Sequence, residues 1–317
     1  MRNTAVIGGS GFIGTKLIEL MGADHCYNID KNPSEKFGGI TTIQDIRETN
    51  LENALREGTK TVILLAAEHR DDVTPHSLYY DVNVKGTANV LEAMDHKAIV
   101  DMIFISSAAI YGLNKKNPDE LFPPDPFSHY GKSKLQAEHL LQEWYQQDTE
   151  NRSLTIIRPS VAFGENNKGN VHNLLRQIAS GKFLMVGRGN NRKSMAYVGN
   201  VAAFIKFSYQ THTKGFNLYN YTDKPDLTMN ELVDQAEESL SRKLPSLRLP
   251  YWMGLIGGYA FDFLTWMTGI KFPINSVRIK KFCATTQYDA TKAHNSGFMA
   301  PFTLAEGLDI TLKSEFK

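Results

Sequence analysis

Cysteine is nearly absent from this sequence: Cys26 and Cys283 are the only two in 317 residues. They sit in apolar, strand-like runs far apart in the chain, which excludes a disulfide framework and points to reduced, buried thiols in a cytoplasmic protein. An excess of either charge is missing too. Lys and Arg number 35 against 34 Asp and Glu, and the formal net charge of +1 leaves no bulk attraction for nucleic acid. The nine histidines show no metal-ligand spacing, so no metal site is expected. No internal repeat or low-complexity tract occurs, and the chain enters an apolar strand at once, so no secretory leader is expected. Long apolar runs are equally scarce. The exception is 249–270, where Trp252, Leu255, Ile256, Tyr259, Phe261, Phe263, Leu264, Trp266 and Met267 surround a single charge, Asp262. Its length approaches a membrane span. Asp262 and several glycines interrupt it and Pro250 precedes it, so the first expectation is a helix capping the C-terminal substrate lobe. The second is a helix resting on a bilayer surface, and a spanning helix is disfavoured.

What the chain does have is a strand, a glycine turn and a helix at its start. Thr4-Ala-Val-Ile runs into Gly8-Gly9-Ser10-Gly11-Phe12-Ile13-Gly14, and Leu17, Ile18 and Leu20 continue a helical pattern. Glycines let the backbone turn sharply and approach a pyrophosphate, whose charge meets the unpaired N–H groups of the helix start. A second apolar strand, 26–30, ends in Asp30 about 20 residues on, placed to accept from ribose hydroxyls. An acid there repels a 2′-phosphate, which favours NAD; neighbouring Lys31 keeps NADP as the alternative.

Further apolar strands at 40–46, 61–67, 101–106 and 154–158 alternate with helical stretches near 50–57, 74–97 and 130–147. Alternation of this kind predicts a doubly wound, parallel, Rossmann-type α/β sheet covered on both faces. Residues 1–165 are expected to form the dinucleotide-binding domain, with returns near 198–220. After Pro159 the periodicity loosens, and 166–317 are expected to form a smaller, mixed α/β C-terminal substrate lobe. With 317 residues the chain can bury cores for both. Ligands in such sheets bind at the carboxyl ends of the strands, where residues 8–14, Asp30, Asp45, Ala66 and Ser107 all fall.

Tyr130 and Lys134, four residues apart, share one face of a helix. A free phenol titrates near pH ~10, and a fixed ammonium beside it favours the phenolate. The pair can therefore act as a base, although an ordinary exposed helix face gives the same spacing.

Taken together, these motifs resemble the extended short-chain dehydrogenase/reductase superfamily, in particular its NAD-dependent sugar epimerase/dehydratase family, as in UDP-glucose 4-epimerases. Matching pieces run nearly end to end. They are the glycine loop, Asp45-Ile46-Arg47, Leu65-Ala66-Ala67, Asn83-Val84-Lys85-Gly86-Thr87, Ser106-Ser107-Ala108-Ala109-Ile110-Tyr111-Gly112, Tyr130 with Lys134, Arg158-Pro159 with Phe163-Gly164, and the terminal Asp289 to Lys292, Gly297-Phe298 and Glu306-Gly307-Leu308. The resemblance implies that Tyr130 takes the proton from a sugar hydroxyl, that Lys134 lowers its pKa and holds the nicotinamide ribose, and that Ser107 hydrogen-bonds the reacting oxygen. It assigns Gly8, Gly11, Phe12, Ile13, Gly14, Asp30, Asp45, Ile46, Leu65, Ala66, Ala67, Asn83 and Pro159 to the cofactor. It also implies a nucleotide-diphosphate sugar, UDP-linked, bound near Ser107, Ala108 and Asn170. Strict spacing before Tyr197-Val198 selects Lys193 for the diphosphate, whereas fork geometry favours Arg192; Arg278 resembles a second diphosphate cation. Each of these also reads as a plain surface cation or loop amide, and His69-Arg70 as a solvated loop or a phosphate contact. Gly199-Asn200 and Phe163 depart from the family pattern. The resemblance further implies a homodimer packed through the helices at 74–97 and 130–147.

Residues after Ser107 narrow the reaction. Dehydratases of the family place an Asp-Glu pair where this chain has Ala108-Ala109, and epimerases acting at two other carbons need a cysteine that Ala109 does not supply. A 4-epimerase, which removes and returns a hydride at C4 through a 4-keto sugar, is the leading expectation because Asp30 favours a retained NAD. A 4-ketoreductase using NADH or NADPH is the alternative, and a non-catalytic NAD sensor is disfavoured by the presence of Ser107, Tyr130 and Lys134.

Overall fold

In the computed structural model the described residues are 3–70, 73–167, 169–244, 247–270, 272 and 275–317. The first half alternates β1 (Asn3–Ile7), α1 (Phe12–Met21), β2 (Cys26–Asp30), β3 (Thr41–Ile43), β4 (Thr59–Leu64), α2 (Ser77–Tyr80), α3 (Gly86–His96), β5 (Asp101–Ile105), α4 (His129–Gln146) and β6 (Ser153–Pro159). A π-turn, Asp81–Lys85, joins α2 to α3. The second half continues β7 (Val161–Phe163), α5 (Asn170–Ala179), β8 (Leu184–Val186), β9 (Arg192–Lys193), β10 (Met195–Tyr197), α6 (Val198–Thr211), β11 (Phe216–Tyr221), β12 (Leu227–Thr228), α7 (Met229–Leu240) and β13 (Leu247–Leu249). It ends with α8 (Tyr251–Thr268), α9 (Ser276–Cys283), α10 (Thr291–His294) and α11 (Leu304–Phe316).

Seven strands form one sheet in the order β11-β6-β5-β4-β1-β2-β3. Every neighbouring pair is parallel. Strand residues alternate between faces. Ala5, Ile7, Val62 and Phe104 bury against Val90 and Met94 of α3 and Ala137, Leu141 and Trp144 of α4. Val6, Ile63, Ile103 and Ile105 bury against Leu17 and Ile18 of α1 and Val201, Phe204 and Ile205 of α6. Both faces are covered, as a doubly wound sheet requires. Strand order reverses between β1 and β4, and the crevice at this switch point opens at the carboxyl ends of the strands.

A third core holds the C-terminal half. Leu175 of α5, Tyr197 of β10, Leu232 and Ala236 of α7, and Leu308 and Leu312 of α11 pack around Phe163. Helices α7 and α11 each start with a capping box, Thr228 with Glu231 and Thr303 with Glu306, in which hydroxyl and carboxylate satisfy the first free amides reciprocally. Glu165 fastens this half to the sheet domain. It lies 3.1 Å from Lys16 of α1 and accepts the Tyr197 hydroxyl at 3.0 Å.

Two local expectations change. The third strand spans Thr41–Ile43 rather than 40–46, because Gln44 bonds the Asp30 carbonyl and the chain then leaves the sheet edge. The stretch near 50–57 forms only a 3₁₀ turn, Leu51–Asn53; a segment this short before the turn at Gly58 cannot repay helix nucleation. The apolar run 249–270 is helical, yet most of its large side chains cover no lobe: Gly254 and Gly258 are its buried residues, and Leu255 and Phe261 are half-buried. No described helix is long and apolar enough to cross a membrane.

Candidate active site

The glycine loop closes on itself. Gly8 has φ +92°, and a Cβ there would sit 2.4 Å from the Ala66 nitrogen; one on Gly14 would sit 2.4 Å from the Gly8 carbonyl oxygen. Gly11 differs, because its Cβ would meet only the Gly8 oxygen, at 3.2 Å, and would otherwise face open space. Gly11 is also the N-cap of α1 and no side chain caps that helix end. An uncapped helix start below an open glycine face suits an anionic group. At the end of β2, Asp30 accepts the Ser10 amide at 3.0 Å and the Asn32 amide at 2.9 Å, leaving its remaining lone pairs for hydroxyl donors. The open face, the uncapped helix and the acid fit a dinucleotide such as NAD.

Asn28 is a residue that the sequence reading missed. Its Oδ1 accepts the Gly9 amide at 2.9 Å, and its Nδ2 donates to Ser10 Oγ at 2.9 Å and to Thr41 Oγ1 at 3.0 Å. A lone amide inside the apolar strand Cys26–Asp30 is the signal for it, since a fully buried amide must find partners.

Along the crevice, Asp45 is clasped by Arg47, whose Nη2 lies 2.7 Å from Asp45 Oδ2; this hydrogen bond holds the carboxyl below its ordinary range. Ile46 is buried and lies where a Cβ on Gly86 would come within 2.6 Å. The Leu65 and Ala66 amides bond the Ile7 carbonyl at 2.8 and 3.0 Å, which fixes 65–67 beside the glycine loop. Asn83 holds that segment from the other side: it accepts the Glu68 amide at 2.8 Å and donates to the Glu68 carbonyl and to Ser133 Oγ of α4. Its polar atoms are thus engaged with protein, and it shapes the cofactor crevice. Arg70 pairs with Glu68 at 2.6 Å and pulls that carboxyl down to about 2. Pro159 lies buried at the carboxyl end of β6.

Ser107 lies where β5 ends, against the start of α4, the helix that carries Tyr130 and Lys134. Ser107 caps the 3₁₀ turn Ala108–Tyr111 by accepting the Ala109 amide at 3.1 Å, and Ala108 is buried in that turn. Gly131 lets α4 dock on it, since a Cβ there would be 2.6 Å from the Ala109 carbonyl oxygen. Lys134 closes the other flank by donating to the Ile105 carbonyl at 2.7 Å. Ser107 is therefore bracketed by two contacts with the helix that presents the half-buried Tyr130. Burial pulls the Lys134 ammonium down to about 7, against an upward pull from Glu138.

Beneath this corner lies a network that spacing did not reveal. Glu138 and Arg158, nearly inaccessible to solvent, form an ion pair at 2.6 Å. Glu138 also takes the Ser106 hydroxyl, and Arg158 donates to the Tyr111 hydroxyl at 2.8 Å, which donates to Asn220 at 2.8 Å. Strands β5, β6 and β11 and helix α4 are locked together directly behind Ser107. An acid and an arginine at positions that pattern as apolar were the available signal.

The remaining candidates lie in the C-terminal half. Asn170 is the exposed first residue of α5. Arg192 donates to the Asp226 carbonyl at 2.7 Å, and Lys193 to the Lys281 carbonyl at 2.9 Å; burial lowers the Lys193 ammonium to about 8. Arg278 is exposed on α9. Asn200 is fully buried and bonds Asp223 at 3.0 Å and the Phe302 carbonyl at 2.8 Å, so an amide here holds the sheet domain to the segment before α11. Phe163 is buried in the lobe core with its ring 5.8 Å from that of Tyr197.

A model of the NAD dependent epimerase/dehydratase family matches residues 4–221. Over 315 residues, 99% of this chain and 95% of the relative, the sequence is 58% identical to the N-acetyl-alpha-D-glucosaminyl-diphospho-ditrans,octacis-undecaprenol 4-epimerase of Escherichia coli O157:H7. It is 26% identical to the UDP-glucose 4-epimerase of Vibrio cholerae over 99% of this chain and 95% of that one. The UDP-glucose 4-epimerase of Thermus thermophilus, solved in complex with NAD, shares the fold with a TM-score of 0.77 at 21% identity, over 99% of this chain and 98% of that one.

Proposed function

Because this chain belongs to the NAD dependent epimerase/dehydratase family, we propose that it is an NAD-dependent 4-epimerase of a sugar carried on a diphosphate, an N-acetylhexosaminyl diphosphate linked to a polyprenol. The observation that carries this reading is the 58% identity, over nearly the whole of both chains, to a relative named for that reaction. Ser107, Tyr130 and Lys134 supply the parts that the reaction needs. The more distant UDP-glucose 4-epimerases differ in the carrier, not in the carbon that reacts.

NAD held by the glycine loop and Asp30 would supply the hydride acceptor and donor for C4. The chain's own residues handle the proton and the oxygen. Tyr130, as the phenolate that the Lys134 ammonium four residues on favours, receives the C4 hydroxyl proton, holds it as a neutral phenol while C4 is a ketone, and gives it back. Ser107 already accepts the Ala109 amide, so its O–H is the donor for the reacting oxygen as charge develops there. Ala108 and Ala109 present no acid or base to an adjacent carbon, which leaves elimination without its catalysts.

The test pairs two substrates with no added nicotinamide. A polyprenyl-diphosphate N-acetylglucosamine and UDP-N-acetylglucosamine are each incubated with purified enzyme, and the C4 epimers are resolved by chromatography. Equilibration of the lipid-linked sugar without net nicotinamide oxidation supports the proposal. Turnover of the UDP sugar alone would replace the carrier, and strict dependence on added NADH or NADPH would replace the epimerase by a 4-ketoreductase.

A further inference from the structure

Helix α8 is attached to the protein by its small residues. Gly254 and Gly258 are its buried positions; a Cβ on Gly258 would lie 2.8 Å from the Ser276 Cα of α9, and one on Gly254 2.6 Å from Val186. Asp262, the only charge of the helix, accepts the Ser276 amide at 3.3 Å. The large side chains point the other way: Trp252, Ile256, Tyr259, Phe263, Trp266 and Met267 are each more than half exposed. Scattered surface apolar residues need no explanation, but a contiguous face of this size on one helix marks an interaction surface.

Charge distinguishes the partner. From 248 to 281 the sequence carries Arg248, Lys271, Arg278, Lys280 and Lys281 against the single acid Asp262, in a chain whose formal net charge is +1. Of these, Lys280 borders the apolar face, with its ammonium 5.2 Å from the Tyr259 ring centre. A two-fold contact with a second copy would bring these like charges together and is disfavoured. An apolar face with tryptophans near both helix ends and a basic margin matches the boundary of an anionic bilayer. The α9 side of this surface extends toward the start of α4: Lys281 lies 5.9 Å from the ring of Phe127, which is exposed three residues before Tyr130.

We propose that α8 and α9 form the surface by which this enzyme rests on an anionic lipid bilayer, with α8 lying in the interfacial plane and the entrance beside Phe127 turned toward the lipid. The orientation of the entrance rests on the polyprenol reading above; the docking surface itself does not. A sugar whose diphosphate is anchored by a lipid tail then meets Tyr130 without leaving the membrane surface.

Full-length protein is sedimented with vesicles of phosphatidylethanolamine and phosphatidylglycerol, or of phosphatidylcholine alone. Wild type is expected to partition to the anionic vesicles, and the Trp252→Ser, Phe263→Ser, Trp266→Ser combination to lower that partitioning at least about tenfold, with an unchanged circular dichroism spectrum. Lys280→Glu, at a fully exposed position, is expected to weaken binding to anionic vesicles and leave phosphatidylcholine controls unaffected. Wild type that stays in the supernatant overturns the proposal, as does a triple variant that sediments as well as wild type. A triple variant that turns a dimer into a monomer would make the occupant a second copy and also overturns it. Vesicle binding without epimerisation of any diphosphate-linked sugar would remove the functional reading and leave the surface standing; epimerisation without vesicle binding would do the reverse.

Discussion

Lys134 carries a charge that its surroundings oppose. An unfolded lysine holds its proton to about 10.5, whereas burial pulls the folded group down to about 7. Between those values the unfolded chain binds more protons, so this group makes the ligand-free protein more stable as pH rises through that window, and its full cost is felt below about 7. Lys134→Met is therefore expected to abolish turnover yet raise the melting temperature more at pH 6 than at pH 9, by calorimetry, at roughly 2–4 °C per kcal/mol relieved. An equal change at both pH values would remove the buried ammonium as the cause. Tyr130→Phe keeps the ring and removes the proton carrier, so conversion is expected to fall ~10²–10⁴-fold while NAD titration changes little. The motif residues at this scale were legible because Tyr130, Lys134 and the glycines stand at fixed spacings. Asn28 and Glu138 were not singled out, and Arg158 stood only as part of a family match, since what they do lies in partners 19, 32 and 20 residues away.

On the proposed mechanism helix α4 carries the base, and Gly131 sets the position of that helix. A methyl group 2.6 Å from the Ala109 oxygen meets backbone, which cannot swing aside, so α4 must shift from the Ser107 turn. Gly131→Ala is expected to lower kcat by about 10²-fold, because a displacement of about an ångström suffices for losses of that order. Gly257→Ala on α8 is the control: nothing lies within 4 Å of a Cβ there, and the change is expected to stabilise by about 0.5–1 kcal/mol through helix propensity. If both variants lose activity equally in steady-state assays, the packing argument at Gly131 fails. Long periodic elements such as α4 were visible beforehand, since 3.6-residue periodicity over five turns is hard to mimic. The short 3₁₀ turn at Leu51–Asn53 was not, because its form depends on what closes around it.

At the scale of the whole molecule, cofactor and fold reinforce each other. The glycine loop, Asp30 and the 65–67 segment come from three strands, so a dinucleotide bound across them stabilises the native sheet alone. NAD at 100-fold over its Kd is expected to add about 2.7 kcal/mol to stability. Gly14→Ala, whose Cβ would strike the Gly8 oxygen at 2.4 Å, should lose that gain in thermal melts. The outward faces of α3 and α4 are polar, with Glu92, Asp95, Lys132, Gln136, His139 and Glu143, whereas the large apolar surface lies on α8. By itself the sequence determined the parallel α/β sheet, the nucleotide loop and the Tyr130–Lys134 pair, because these follow from local periodicity and spacing along one chain. Only the tertiary structure decided that Arg192 and Lys193 bond backbone carbonyls, that Asn83 braces the crevice, and that α8 turns its glycines inward and its tryptophans out. Those outcomes depend on which distant surfaces meet, and composition along a helix does not say which face will find a neighbour.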